Sequence, residues 1–507
     1  MISPTRTDKS QFHPYFSSFI PESLQPKRSS RIEELLPSNK PPLEFERQDF
    51  LEIAARGPQT LDEFDEKIAA TRQLLDFLVS ERDQAASNIS DAKSLLHPVR
   101  RLPDDVLRSV FRSCTESPDQ VFNWDVVVLQ PKIDIESVQP NQSPWTVSCV
   151  CQQWRTVAIH TAELWSFISL DLDQSYQNKE LAKNRVFRLG LSLFRANGHD
   201  LSIRLHGKNN VSNVSPILQI LFPTAPYWKR LSISLPPSSF LHFSVCKGYL
   251  NRLDTLYIGG VESEIDAFDI DAFQLAPSLR VVGTYEGSRT PTPFCVPSSG
   301  VTTFISGGTN IHTYGSLKRL PHVQKLTLFC WDRIDEATEP ISLPSVTFLW
   351  LVQHASSSHS SVADMYSHLI LPSLRDLKTG FIGSYYYDLI SFPVVTNPDS
   401  CPIKTLAIQL FRLSQKECTQ LGDGLFKFLR GTPELERLQI IVTDPSKTRL
   451  PDRWLNSLVH IPGQDAIVPR LCFLGMPDGR ISAGNLGCLV GVIESRRRKD
   501  IDSLDKE

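Results

Sequence analysis

No stretch of this 507-residue chain strings together eighteen apolar residues, so nothing in the sequence reads as a membrane-crossing helix. The opening residues, Met1-Ile2-Ser3-Pro4-Thr5-Arg6-Thr7-Asp8-Lys9, contain no apolar signal-peptide core, which makes cytoplasm or nucleus the expected compartment. Paired cysteines are also missing. Ten thiols stand at positions 114, 149, 151, 246, 295, 330, 401, 418, 472 and 488 without two-residue spacing, which argues against both zinc and a disulfide framework. Cys149 and Cys151, read as helical, would point about 200° apart and could not act together. Excess charge of one sign is absent: 53 Lys and Arg face 56 Asp and Glu, a net charge of −3 that provides no field for nucleic acid. The run Arg496-Arg497-Arg498-Lys499 is followed closely by acids and reads as a solvated tail. Signatures of catalysis are lacking as well, with no nucleophile elbow, phosphate loop, dinucleotide fingerprint or His-Glu-x-x-His pair. An enzyme, a metal site and a cofactor are therefore not expected.

The chain does hold 41% apolar residues over a length that predicts several domains. Residues 1–58, rich in Pro, Ser and charge, are expected to be a disordered tail. Thr60 and Glu63 suggest a capping box that opens a long helix over 59–97. Along it Leu61, Phe64, Ile68, Thr71, Leu75, Leu78, Arg82, Ala85, Ile89, Ala92 and Leu96 keep one heptad register, ended by His97-Pro98. Such a stripe needs a partner, either a second copy, giving a homodimer through 61–96, or the module that follows. In that module Pro103 suits a first helical position and Asp104 and Asp105 suit a first turn. Val106 with Val110 and Leu107 with Phe111 form two adjacent ridges, and Val147, Val150, Cys151, Trp154, Val157 and Ala158 repeat the spacing. Glu163-Leu164-Trp165 opens another apolar turn, and Ile168 and Leu170 alternate as in a strand.

Farther on, Lys183 to Ala196 predicts a helix with Val186, Leu189, Leu193 and Phe194 inward, and Leu201 to His206 a half-buried strand. One phrase then recurs: proline, any residue, apolar, two residues, apolar. It is clear at Pro321, Pro344, Pro372 and Pro433, and weaker at Pro277, Pro402 and Pro469. Leu231-Ser232-Ile233 and Leu256-Tyr257-Ile258 carry its strand half. Steps of 25, 23 and 28 residues (Leu231 to Leu256, Leu326 to Leu349, Leu349 to Leu377) suit a short structural repeat, although later steps of 29, 32 and 36 are longer. The segment Gln353 to Ser361, with His354 and His359, reads as a loop between repeats.

Leu102-Pro103-Asp104-Asp105-Val106-Leu107, then Val150-Cys151-Gln152-Gln153-Trp154-Arg155, then Leu164-Trp165-Ser166-Phe167-Ile168 form a succession that resembles the F-box-like domain common in fungal proteins. The later phrase resembles degenerate leucine-rich repeats. The resemblance implies an α+β then α/β solenoid architecture: a long N-terminal helix, a small helical F-box module over 98–172 with an insertion at 116–144, a curved repeat array over 173–490 and a charged tail over 491–507. By the same resemblance the chain is a substrate-recognition subunit of an SCF-type, cullin-based ubiquitin ligase. A Skp-family adaptor would contact Leu102, Pro103, Val106, Leu107, Val110, Phe111, Val150, Trp154, Leu164 and Trp165, some of which must face the module's own core. A protein target would meet residues that alternate with the strand leucines, such as Tyr257, Thr327, Trp350 and Gln439, with Ser232 and Ala407 in equivalent places. Trp350 either anchors a partner or is covered by another part of the chain. The insertion bears on whether an adaptor can dock. The alternative reading is a non-catalytic repeat scaffold outside any ligase.

Overall fold

The computed structural model describes residues 30–38, 40–115, 122, 137, 139, 141–172, 179–207, 215–260, 271–284, 296–297, 299–307, 315–330, 339–353, 362–382, 392–393, 402–443, 450–461, 467–476 and 483–504. The chain divides into two compact units, Met1–Leu102 and Pro103–Glu507.

The first unit is helical. Helix α1 spans Ser30–Ser38 and α2 spans Glu44–Leu96, 53 residues or about 80 Å at 1.5 Å per residue. Helix α2 begins earlier than Thr60, because Glu46 caps it: its carboxylate accepts from the Leu43 N–H at 2.9 Å and from Arg31 Nε at 2.9 Å. Thr60 lies mid-helix instead, its hydroxyl donating to the Arg56 carbonyl. The expected tail over 1–58 is thus helical at 30–38 and 44–58, and its remainder over 1–29 lies outside the described residues. The helix stops at His97-Pro98 as its sequence requires. No residue of α2 is buried.

In the second unit a helical module leads into a sheet of twelve strands: β1 Phe167–Asp171, β2 Leu201–His206, β3 Trp228–Leu235, β4 Thr255–Gly260, β5 Val281–Thr284, β6 Thr303–Ser306, β7 Lys325–Cys330, β8 Phe348–Gln353, β9 Asp376–Ile382, β10 Thr405–Phe411, β11 Arg437–Val442 and β12 Phe473–Gly475. They lie side by side in chain order, every neighbouring pair parallel. A two-stranded ladder of Ile341–Ser342 and Leu369–Ile370 lies apart from it. Parallel neighbours in sequence order need a return connection after each strand, and the recurring phrase supplies its last turn.

The apolar positions of that phrase form two buried rows. Just before the strands come Leu253, Leu279, Val301, Val323, Val346, Leu374, Ile403 and Leu435; within them Leu231, Leu256, Val282, Phe304, Leu326, Leu349, Leu377, Leu406 and Leu438 stand in register. Between the rows a backbone ladder runs from Asp254 N–H to Lys229 O, Arg280 to Asp254, Thr302 to Arg280, and onward to Cys472 N–H donating to Glu436 O, each bond 2.8 or 2.9 Å. Each strand start is thereby aligned with its neighbour. Strand β6 has no proline phrase ahead of it, only Val301 and Phe304 at the right spacing, and was not legible as a strand.

Helices α3 (Asp104–Cys114), α4 (Trp145–Ser148) and α5 (Gln152–Ile159) precede the sheet, and α6 (Lys179–Ala196) joins β1 to β2. In α6 Leu189 is buried, Val186 and Leu193 are half-buried, and Phe194 is 81% exposed. Phe194 falls five residues after Leu189, about 140° round the helix, so the inward place goes to Ser192 instead. Helices α7 (Ser215–Leu221), α8 (Val362–Ser367), α9 (Gln415–Arg430) and α10 (Asp452–Asn456) lie within the later connections. The expected charged tail over 491–507 is helical as far as Leu504, within α11 (Ala483–Leu504). Arg496 does not trail in solvent: its guanidinium donates to the carbonyls of Leu458, Ile467 and Val468 at 3.0–3.2 Å, and Val492 beside it is buried.

Candidate functional site

The helical module sorts its own apolar residues. On α3 Leu107 and Phe111 are fully buried, and the Phe111 ring meets Trp154 with centroids 5.0 Å apart. Leu164 and Trp165 belong to the same interior; Trp165 Nε1 donates to the Ala158 carbonyl at 2.8 Å and its ring meets Trp145 edge-on at 5.0 Å. The Arg195 guanidinium of α6 covers Trp165 at 4.3 Å, and desolvation by burial lowers its pKa. Leu107, Phe111, Leu164 and Trp165 are therefore structural and do not face a partner, because the module needs them to close its core.

The residues left outside are Pro103, Val106 (39% exposed), Val110 (38%) and Val150 (60%), with Trp154 half-buried. Pro103, Val106 and Val110 follow at steps of three and four, so they share one flank of α3. Leu102, half-buried, closes the first unit. Gln153 Nε2 donates to Asp104 Oδ1 at 3.3 Å, holding the start of α5 beside the start of α3, and Arg112 pairs with Glu163 at 2.5 Å. The stretch Val147 to Ala158 is not one helix. Cys149 caps the end of α4 and Cys151, in extended backbone, caps the start of α5, its sulfur accepting from the Trp154 N–H. The thiols are thus not arranged by a helical turn, though nothing makes them a pair.

The strand residues that alternate with the leucines form a second surface. In one register row stand Arg204, Ser232, Tyr257, Gly283, Ile305, Thr327, Trp350, Lys378, Ala407, Gln439 and Gly475. Its centre is covered: Trp350 is 4% exposed, Tyr257 and Thr327 are buried, and Tyr257, Ile305, Phe329, Trp350 and Val352 share one apolar cluster with Phe122. Phe122 belongs to the insertion between α3 and α4. It stacks on Tyr257 (5.9 Å, 24°), and the Tyr257 hydroxyl donates to the Phe122 carbonyl at 3.2 Å. Ser137, from the same insertion, is bonded to the edge strand β1: its N–H donates to Ser169 O and its hydroxyl accepts from the Ser169 N–H at 2.8 Å. Trp124 and Val126 to Leu129 lie outside the described residues, as do His354 and His359.

Two neighbours complete this face. Gly283 underlies the Tyr257 ring, where an added Cβ would stand 2.3 Å from Cδ1. Lys378 Nζ stands 3.6 Å above the Trp350 ring, whose Nε1 is buried with no hydrogen-bond partner among the described residues. Toward β10 and β11 the face opens: Ala407, Gln409, Gln439 and Ile441 are half-exposed. Sequence spacing placed these side chains correctly but could not reveal their cover, since Phe122 precedes Tyr257 by 135 residues.

Among the described residues no cluster of three His, Cys, Asp or Glu side chains could hold a metal ion. Burial pushes the thiols of Cys246, Cys330 and Cys418 up to about 12, which removes them as nucleophiles near neutral pH. No helix among the described residues is long and apolar enough to cross a membrane. No protein-family model matches the chain, and no curated protein matches it.

Proposed function

We propose that this chain is the substrate-recognition subunit of a cullin-based ubiquitin ligase of the SCF type, acting in cytoplasm or nucleus. Its helical module docks a Skp-family adaptor and its sheet, a leucine-rich-repeat solenoid in this reading, holds a protein target. The observation that carries the reading is the division of α3: Leu107 and Phe111 seal the module, while Pro103, Val106 and Val110 stay on its outer flank although they are apolar. An amphipathic face left over after a core is closed suits an apolar partner groove. Target contact then belongs to the half-exposed residues of β10 and β11, including Gln439, because Tyr257, Thr327 and Trp350 are covered. No residue of this chain performs covalent chemistry in this reading. Its effect on rate is proximity, a bound lysine meeting the charged conjugating enzyme at high effective concentration.

The test is co-expression of the full chain with a Skp-family adaptor, followed by gel filtration. Wild type is expected to form a stoichiometric complex. Val106→Asp/Val110→Asp, which alters only the outer flank, should leave folding intact and weaken the complex by about 2–4 kcal/mol, roughly 30- to 1,000-fold. Failure of well-folded wild type to bind would leave the non-catalytic scaffold as the better account.

A further inference from the structure

Helix α2 presents its seam to solvent along its whole length: Leu61, Ile68, Leu75, Leu78 and Ile89 are each roughly half exposed. We infer that this seam is the interface of a homodimer in which two copies of α2 lie antiparallel and overlap over nearly their full length. The occupant is a second copy, and the heptad positions select its direction.

Side by side and parallel, each seam residue meets its own copy. Arg82 would then face Arg82, two cations in an apolar layer, and Thr71 and Ala92 would face themselves in thin layers. On the flanks the g position Lys67 would meet the e position Arg72, a like-charge pair occurring twice.

Run the second copy backward and the layers match. Leu61 meets Leu78, Phe64 meets Leu75 and Ile68 meets Thr71, and the twofold axis repeats these as six consecutive layers. Beyond them Arg82 lies opposite Gly57, which leaves room for its stem, Ala85 opposite Ala54, and Ile89 opposite Phe50. In this alignment e meets e and g meets g. Asp65 then pairs with Arg72 and Glu44 with Lys93, while the facing g positions (Lys67 with Leu74, Thr60 with Glu81) contain no like-charge pair. Asp65 and Arg72 make no ion pair within the chain among the described residues. The same alignment places residue 44 against residue 95, so the register that fills the core is also the one that uses the whole of α2. Since each chain leaves α2 at Leu96, the two exits stand about 80 Å apart, one at each end of the paired rod.

Sedimentation equilibrium of the full chain tests this, with circular dichroism to confirm equal helix content. Wild type should dimerise. Arg72→Glu sets a second carboxylate against Asp65 at two symmetric places and should weaken the dimer on the order of tenfold, whereas in a parallel pair it would meet Lys67 and tighten it. Adding Asp65→Arg should return the affinity to near wild type. Within one helix these positions are two turns apart, so recovery has to arise between copies. A monomeric wild type, a tightened or unchanged Arg72→Glu dimer, or a charge swap that fails to recover would each overturn the inference.

Discussion

Tyr257 is the residue on which the sheet's second face turns. Its ring lies over Gly283, and its outer side takes the Phe122 ring and carbonyl. Phe122→Ala removes a buried ring together with its stacking and should cost about 2–4 kcal/mol in denaturant unfolding, while Tyr257→Phe, which loses only the hydroxyl bond, should cost about 1 kcal/mol. If Phe122 lay loosely on the surface, both costs would be near zero. The buried thiols give a pH dependence of definite sign. For Cys330 burial and, after it, the Asp364 carboxylate raise the pKa from 9.0 to about 12, so folding favours the protonated thiol. Its contribution is whole below pH 9 and is lost as pH climbs through 12, as for Cys246 and Cys418. Measured at intervals across that window, unfolding midpoints should fall more steeply for wild type than for Cys330→Ala. Equal slopes would count against a buried protonated thiol.

Elements were legible where local rules and packing agreed. The recurring phrase located most of the strands because each needs the same two inward apolar residues, and α3 was marked by Pro103 and its acidic first turn. Boundaries failed where a better local arrangement existed. Glu46 caps α2 far ahead of Thr60, and Cys151 breaks what looked like one amphipathic run into α4 and α5. In the basic cluster near the C-terminus Arg496 departs from a solvated tail for a different reason: charge pattern says nothing about carbonyls nearby. Arg496 reaches three of them and fixes α11 to the backbone of Leu458, Ile467 and Val468, and burial lowers its pKa accordingly. Arg496→Ala should therefore speed amide hydrogen exchange in α11 and at 454–459 by tenfold or more, about the loss of 1.4 kcal/mol of local opening energy, with β3 to β9 unaffected. Unchanged protection in α11 would show that Val492 and its apolar neighbours hold the helix without the guanidinium.

Across the molecule, adjacency in sequence becomes adjacency in space: twelve strands pair in chain order, so most of the sheet's pairings join segments a few tens of residues apart. Phe122 departs from that rule, 135 residues ahead of Tyr257, whereas Ser137 bonds Ser169 only 32 residues on. Together these two residues of the insertion pack against β4 and bond the edge strand β1. The flank of α3 and the half-exposed face of β10 and β11, proposed as adaptor and target surfaces, belong to one compact unit, and α2, proposed to dimerise, belongs to the other.

The parts of this protein that follow from nearest-neighbour rules could be read from its residues alone: a long heptad helix, the polarity of α3, and strands whose inward rows are apolar and mostly leucine. Period and capping act over a few residues, and a one-dimensional pattern records them. Which apolar residues of α3 are core and which are surface, and whether Tyr257 and Trp350 are free or covered, depend on side chains arriving from distant positions. Trp154 packs against Phe111, which is buried with Leu107, and Phe122 packs on Tyr257 within the apolar cluster of the face that spacing had left open. Burial is a property of the packed whole, and no local spacing encodes it.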